Sequence, residues 1–364
     1  MISFGVGSYS FYLNDKAKDK VITVGDFIDE LRSVLENIQT LDGLDIYFDN
    51  SLERESLTYH SIDDGSRKTN PLMPSFDVSF ELSISKRLQE SIIKNRVGYY
   101  IEEHLPDSFR IHIKYVYHSS VTFIELINSE KKHKPSDAIM MIREYLKSEF
   151  NKTNTYISFE CIGPSPFHAN FYLSAGEIDT PVDVIKNHVL GYDEIEIKYN
   201  SNEFSSDVEA FHYVMFGMSH ELDYFYMLVD NNNYHRFQWD CLQTNLDELN
   251  DLFKNKKGLL GYFDKKTLIS NLLLSIWAFN GGKVEKDRSM KYYYVELYNG
   301  SYSYLKEYID KEISKSSEFP IKDTRELVQF YEAKNSKLFE MTITFLTGIV
   351  GGVVGSLVTL LSTK

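Results

Sequence analysis

The stretch from Met341 to Lys364 reads MTITFLTGIVGGVVGSLVTLLSTK, with no charged side chain between Glu340 and Lys364. As a helix rising 1.5 Å per residue it covers roughly 34 Å, against a bilayer hydrocarbon core of about 30 Å. A single transmembrane helix is therefore expected over 341–361. The alternative, a buried helix of a large domain, requires surrounding chain to cover it. Arg325, Lys334 and Lys337 precede the segment and only Lys364 follows. The excess of cations on the N-terminal side places the body in the cytoplasm. The expected location is the inner (cytoplasmic) membrane, crossed once.

Within this segment Gly348 and Gly352 lie four apart, as do Gly351 and Gly355, and Thr344 and Thr359 extend the stripe. Lipid offers helices little hydrophobic drive to associate, so close backbone approach at small residues and hydroxyl hydrogen bonds are what hold them together. The expected partners are the lipid bilayer and further copies of the chain. A ring of such helices would turn Thr344, Gly348, Gly352, Gly355 and Thr359 inward and set Glu340 at its mouth, the arrangement of a narrow cation-selective pore. A plain anchor fits the same residues, with Glu340 as an interfacial carboxylate ending the soluble part.

Ahead of the segment, Asp323-Thr324-Arg325-Glu326 has the form of a capped helix start. Leu327, Tyr331, Leu338, Met341 and Phe345 follow at helical spacing. Either one long helix runs from about Thr324 into the membrane, or two helices meet near Asn335-Ser336.

The whole chain has 364 residues, 43% hydrophobic and 25% charged, a globular composition with room for about two folded units. The 53 acidic residues outnumber the 39 basic ones, for a formal charge of −14. That balance argues against sequence-blind binding to duplex DNA and leaves local basic sites open. All the acidic residues, and every basic one but Lys364, precede the apolar stretch, so the mean hydropathy of −0.31 averages two solvents. Cys161 and Cys241 are too few for a disulfide framework and are expected to be buried apolar residues in a reducing compartment. The opening Met1-Ile-Ser-Phe-Gly-Val-Gly has neither the basic nor the apolar region of a signal peptide.

The expected fold is α+β. Region 1–200 reads as strand-rich: Phe76, Val78, Phe80, Leu82 and Ile84 alternate with polar residues, as do Phe109, Ile111, Ile113, Tyr115 and Tyr117. Further strands are expected at 121–127, 156–162 and 167–173, with helices from Lys86 and from Ser136 to Phe150. Region 201–320 reads as mainly helical, with segments at 207–229, at 246–253 capped by Thr244-Asn245, at 266–279 and at 301–313. A helical connector at 321–340 precedes the span.

Signatures of catalysis are missing: there is no phosphate-binding GxxxxGK[ST] loop, dinucleotide GxGxxG or GxSxG elbow. No catalytic residue, metal or cofactor is expected. His220-Glu221-Leu-Asp223 lacks the second histidine that a zinc helix needs four residues on, where Tyr224 stands. His212 and His220 read as helix-face or core histidines. Pro164-Ser165-Pro166-Phe167-His168 forms a proline-fixed turn, which either presents Ser165 and His168 or is ordinary structure. Binding of an anionic ligand would fall to basic, aromatic places. Lys283, Lys286, Arg288 and Lys291 run into Tyr292 and Tyr293; Arg110, His112 and Lys114 share one strand face; Lys131, Lys132, His133 and Lys134 form a third patch. Solvated lysines and packed tyrosines are the plain alternative.

A strand-rich body, a helical connector and one Gly-rich C-terminal span resemble, in layout, the oligonucleotide-gated channel effectors of the Hailong type of bacterial antiviral defence. The resemblance implies a tetramer or similar ring, a cytoplasmic sensor that binds a nucleotide or single-stranded oligonucleotide, and helices that form a ligand-gated ion path. A tail-anchored binding or scaffold protein without channel activity is the alternative.

Overall fold

The computed structural model describes residues 1–57, 75–94, 105–116, 119–129, 133–161, 169–189, 191–255, 258–299, 303–315 and 318–362. The chain is α+β. In order, its elements are β1 (Ile2–Gly7), β2 (Tyr9–Leu13), β3 (Ile22–Thr23), α1 (Val24–Glu36), β4 (Leu41–Phe48), β5 (Ser56–Leu57), β6 (Phe76–Ser83), α2 (Lys86–Lys94), β7 (Ser108–Val116), β8 (Ser119–Leu126), α3 (Pro135–Asn151), β9 (Ile157–Cys161), β10 (Ala169–Gly176), β11 (Val182–Val189) and β12 (Tyr192–Asn200). Four helices follow: α4 (Asp207–Asn255), α5 (Gly258–Leu297), α6 (Lys306–Ser314) and α7 (Ile321–Ser362). Contacts group these into two compact units. One is Met1–Val229 with Tyr293–Ser314, and the other is Asp230–Tyr292 with Lys315–Lys364.

The first unit is built on an eight-stranded sheet in the order β11-β12-β10-β1-β8-β7-β6-β4. Its neighbours are antiparallel except β10 and β12, which run parallel. The alternation of β6 and β7 assigns each side chain to a face. Phe80, Phe109, Ile111 and Ile113 enter a core shared with Phe27 and Leu31 of α1 and Ile139, Ile142 and Leu146 of α3. The start of α1 is fixed by a capping box in which Thr23 and Asp26 exchange hydrogen bonds. The first turn of α3 is tied to the sheet, because the Ser136 N–H donates to Asn170 Oδ1 of β10 at 3.0 Å. The opposite face of the sheet takes the beginning of α4, where Phe211 meets Phe4 of β1 at 5.1 Å between ring centroids.

In the second unit, parts of α4, α5 and α7 enclose Leu242, Leu246, Leu249, Ile269, Leu272, Ile276, Phe279 and Val328.

Several boundaries differ from those read in the sequence. Thr244-Asn245 does not cap a new helix: α4 is continuous over 49 residues, and the Thr244 hydroxyl donates to the Asp240 carbonyl four residues back. The segment expected at 266–279 is part of the 40-residue α5. The helix expected from Ser301 begins at Lys306, since the preceding N–H groups of Tyr304 and Leu305 are taken by a side chain of α4. Asp323 lies in the first turn of α7 and not at its cap, because Pro320 already accepts the Thr324 N–H at 3.0 Å. Cys241 is exposed and not buried; the Cys161 side chain lies outside the described residues, as do Ser165 and His168. Of the choices left open for the connector, one unbroken α7 of 42 residues is found.

Candidate self-association face and ligand-binding patches

Among the described residues α7 is the one helix long and apolar enough to cross a membrane, and its apolar stretch is wholly unburied within the chain. Its N-terminal half packs through one face. Thr324, Val328 and Asn335 are buried, Tyr331 Oη donates to Asn250 Oδ1, Asn335 Nδ2 donates to the Tyr262 carbonyl at 3.2 Å, and Phe339 stacks on Tyr262 at 4.0 Å. Residues 324, 328, 331, 335 and 339 recur at helical spacing, and after Phe339 this packing ends.

A second stripe lies about 110° further round, taking 3.6 residues per turn. It carries Leu327, Phe330, Leu338, Met341 and Phe345, all exposed, and continues in the same phase into Gly348, Gly352 and Gly355. Thr344 and Gly351 stand at its edge. The outward face of the connector and the small-residue face of the span are thus one surface. A Cβ built on Gly348, Gly351 or Gly352 would meet nothing else in the chain, so no packing within one copy calls for glycine there. Each glycine in a helix interior costs about 0.8–1 kcal/mol relative to alanine in water. The hydroxyls of the span are satisfied by their own helix: Thr342, Thr344, Thr347 and Ser356 donate to the carbonyls of Leu338, Glu340, Ile343 and Gly352 at 2.8, 2.9, 2.9 and 2.7 Å. The Thr359 side chain lies outside the described residues.

The basic residues of α5 divide between two faces. Lys283 pairs with Asp287 at 2.7 Å, and the Lys286 ammonium sits 4.2 Å from the centroid of Tyr234 on α4. Tyr293 falls on their side by helical phase. Arg288, Lys291 and Tyr292 turn to the opposite side, where Tyr292 is 63% exposed.

Arg110, His112 and Lys114 share the face of β7 turned toward α4. Arg110 is engaged by Glu81 at 2.7 Å and Glu125 at 2.9 Å, its cross-strand neighbours on β6 and β8. Lys114 lies 3.8 Å from Asp77. Between them the His112 ring is 6.0 Å from both Phe211 and His212. Burial, helped by His212, Arg110 and Lys114, pushes the His112 imidazole down to about 4, so it is neutral at physiological pH. Phe216, 61% exposed, meets His220 edge-on at 5.0 Å and has the Lys114 ammonium 6.0 Å from its centroid. The structure therefore gathers His212 and His220 with the β7 residues, and the two β7 cations are balanced by carboxylates. Of the third patch, Lys131 and Lys132 lie outside the described residues, His133 is buried, and Lys134 stands at the N-cap of α3.

Glu221 entered the sequence reading only within the rejected zinc motif His220-Glu221-Leu-Asp223, though it interrupts the apolar stripe Phe211, Val214, Met218, Leu222 and Phe225 of α4. It is 2% exposed, and its carboxylate accepts the N–H of Tyr304 at 3.0 Å and that of Leu305. A carboxylate on a helix's buried stripe was the available signal. Among the described residues no group of three or more His, Cys, Asp or Glu could hold a metal ion. No protein-family model, curated protein or solved structure matches the chain.

Proposed function

We propose that the chain is a self-associating membrane effector in which the α7 helices of several copies, four being favoured, pack along their outward stripe and line an ion path. The observation that carries this reading is the stripe itself: one face of an unbroken helix, exposed at Leu327, Phe330, Leu338, Met341 and Phe345, interrupted by Lys334 on Phe253, and continued by Gly348 and Gly352 across the expected membrane boundary. The cations at 325, 334 and 337 support a cytoplasmic body in the inner membrane. The layout shared with Hailong-type effectors supports a role in bacterial antiviral defence. Its ligand, a nucleotide or single-stranded oligonucleotide, would meet Arg288, Lys291 and Tyr292, two cations beside an exposed ring.

A tail-anchored scaffold is the second reading, favoured by the Thr344 hydroxyl, which is held by the Glu340 carbonyl 2.9 Å away and so is not a free pore-lining group. Full-length protein in potassium-loaded liposomes separates the two. The expected result is a closed ring by native mass measurement and ion release on adding a single-stranded oligonucleotide. Gly352→Leu should abolish both while the protein stays in the bilayer, since a bulky side chain holds the backbones apart. A monomer in detergent would overturn self-association; ion release unchanged by Gly352→Leu would overturn the pore. Full activity after replacing 341–361 with an equally long polyleucine span would favour the scaffold.

A further inference from the structure

Glu221 sits where a helix cap belongs, yet it comes from a residue 83 positions earlier in the chain. Its oxygens accept the N–H of Tyr304, at 3.0 and 3.2 Å, and that of Leu305; the Leu305 carbonyl in turn accepts the N–H groups of Tyr308 and Ile309, at 3.0 and 3.1 Å, and so opens α6. The first turn of α6 is therefore fastened to α4 through one carboxyl group. Around it stand Tyr224 of α4, Tyr294 and Tyr298 of α5, and Lys306 and Asp310 of α6. Among the described residues the cation of this group is Lys306, already bound to Asp310 at 2.7 Å and to the Tyr294 hydroxyl. No arginine or lysine pairs with the Glu221 carboxylate directly among the described residues. The Tyr298 hydroxyl is buried, makes no hydrogen bond and feels the Glu221 charge without bonding to it.

We propose that Glu221 is a proton-operated clasp: protonated, it holds the start of α6 on α4, and its ionisation loosens that hold. The balance is set by solvation. Two backbone N–H groups favour the anion, but a carboxylate with 2% exposure and no paired cation has lost most of its hydration. The neutral group keeps an acceptor oxygen for the same N–H donors. Burial, opposed by the Tyr304 and Leu305 hydrogen bonds and by Lys306, pushes the Glu221 carboxyl up to about 7. The folded state thus binds its proton more tightly than the opened one. Stability of the clasp is complete below the ordinary glutamate range and is lost as the pH rises through about 7. The clasp lies on the chain just ahead of α7, with α6 ending at Ser314 and α7 beginning at Ile321.

Hydrogen exchange of the full-length protein in detergent, read by mass spectrometry on peptides covering 303–314 and on peptides from α3 as an internal reference, tests this directly. Between pH 5 and pH 8 the protection of the α6 peptides, corrected for intrinsic exchange, should fall by on the order of fiftyfold while α3 stays level. Glu221→Gln, which keeps an acceptor and removes the titrating proton, should leave α6 protection independent of pH. Tyr298→Phe, which deletes a hydroxyl not bonded to Glu221, should fold and keep the wild-type transition. A flat wild-type profile, or α6 and α3 falling together, would overturn the clasp even if Glu221→Gln failed to fold.

Discussion

Gly5→Val should unfold the first unit or lower its melting temperature by roughly 6–12 °C, as followed by circular dichroism of the full-length protein in detergent. The reason lies in how closely α3 crosses β1. A Cβ at Gly5 would stand 2.5 Å from the Pro135 carbonyl oxygen and 2.9 Å from Ile139 Cγ1. The isoleucine can turn away, but the carbonyl belongs to the helix backbone. Relief requires α3 to move, and with it the buried Ala138, Met141 and Ile142. Overpacking a core costs about 1–3 kcal/mol even where side chains can adjust. A backbone clash at the middle strand of the sheet should exceed the upper figure, and 1 kcal/mol corresponds to about 2–4 °C in a unit of this size. Gly5→Ala should already show about 1–3 kcal/mol of the effect. A melting temperature within about 2 °C of wild type for Gly5→Val would show that α3 sits further from β1 than described.

The neighbouring Phe4→Ala should destabilise the same unit by about 3–5 kcal/mol, for the opposite reason. Phe4 has no exposed surface and points to the other face of the sheet. Its ring stacks on Phe171 at 5.2 Å, meets Phe211 edge-on at 5.1 Å and lies 6.3 Å from Phe123. Removing it opens a cavity between three strands and the beginning of α4, whose residues 210–218 depend on that surface for burial. Urea titration at constant m-value measures the loss. Phe216→Ala is the control: that ring is 61% exposed, so its loss should cost less than about 1 kcal/mol. Equal midpoints for the two variants would contradict the placement of α4.

These two residues also mark what the sequence conceals. The strands β6, β7 and β8 are legible because alternating apolar residues must face a core on one side, and their antiparallel pairing follows chain order. In Ile2-Ser-Phe-Gly-Val-Gly the large residues Ile2, Phe4 and Val6 alternate with Ser3, Gly5 and Gly7 and not with charged ones, since a central strand covered by helices on both faces has little polar surface to display. That β1 separates β8 from β10 depends on partners more than a hundred residues away, which periodicity does not encode. Likewise 244–245 looked like a helix start because threonine and asparagine favour caps in isolation. Within α4, Leu242, Leu246 and Leu249 keep one face buried, and tertiary packing overrides the local preference. The glycine stripe of α7 was legible from spacing alone. Its extension through Phe330 and Leu327 needed the structure, because only the packing of Val328, Tyr331 and Asn335 reveals which face remains. The β7 cations were found by composition, but their neutralisation by Glu81, Glu125 and Asp77 is a matter of strand register.

The position of β1 also sets a timetable for synthesis. It leaves the ribosome well before both of its neighbours: Phe4 pairs with Glu125 on one side and Phe171 on the other. At 5–20 residues per second, about 160 residues of further translation take roughly 8–30 s. Through that interval an apolar segment waits with unpaired N–H and C=O groups on both edges, the condition in which strands join the wrong chain. Polysomes place many such segments close together, so slowing translation between β1 and β10 should raise aggregation of nascent chains more than slowing it anywhere beyond β12.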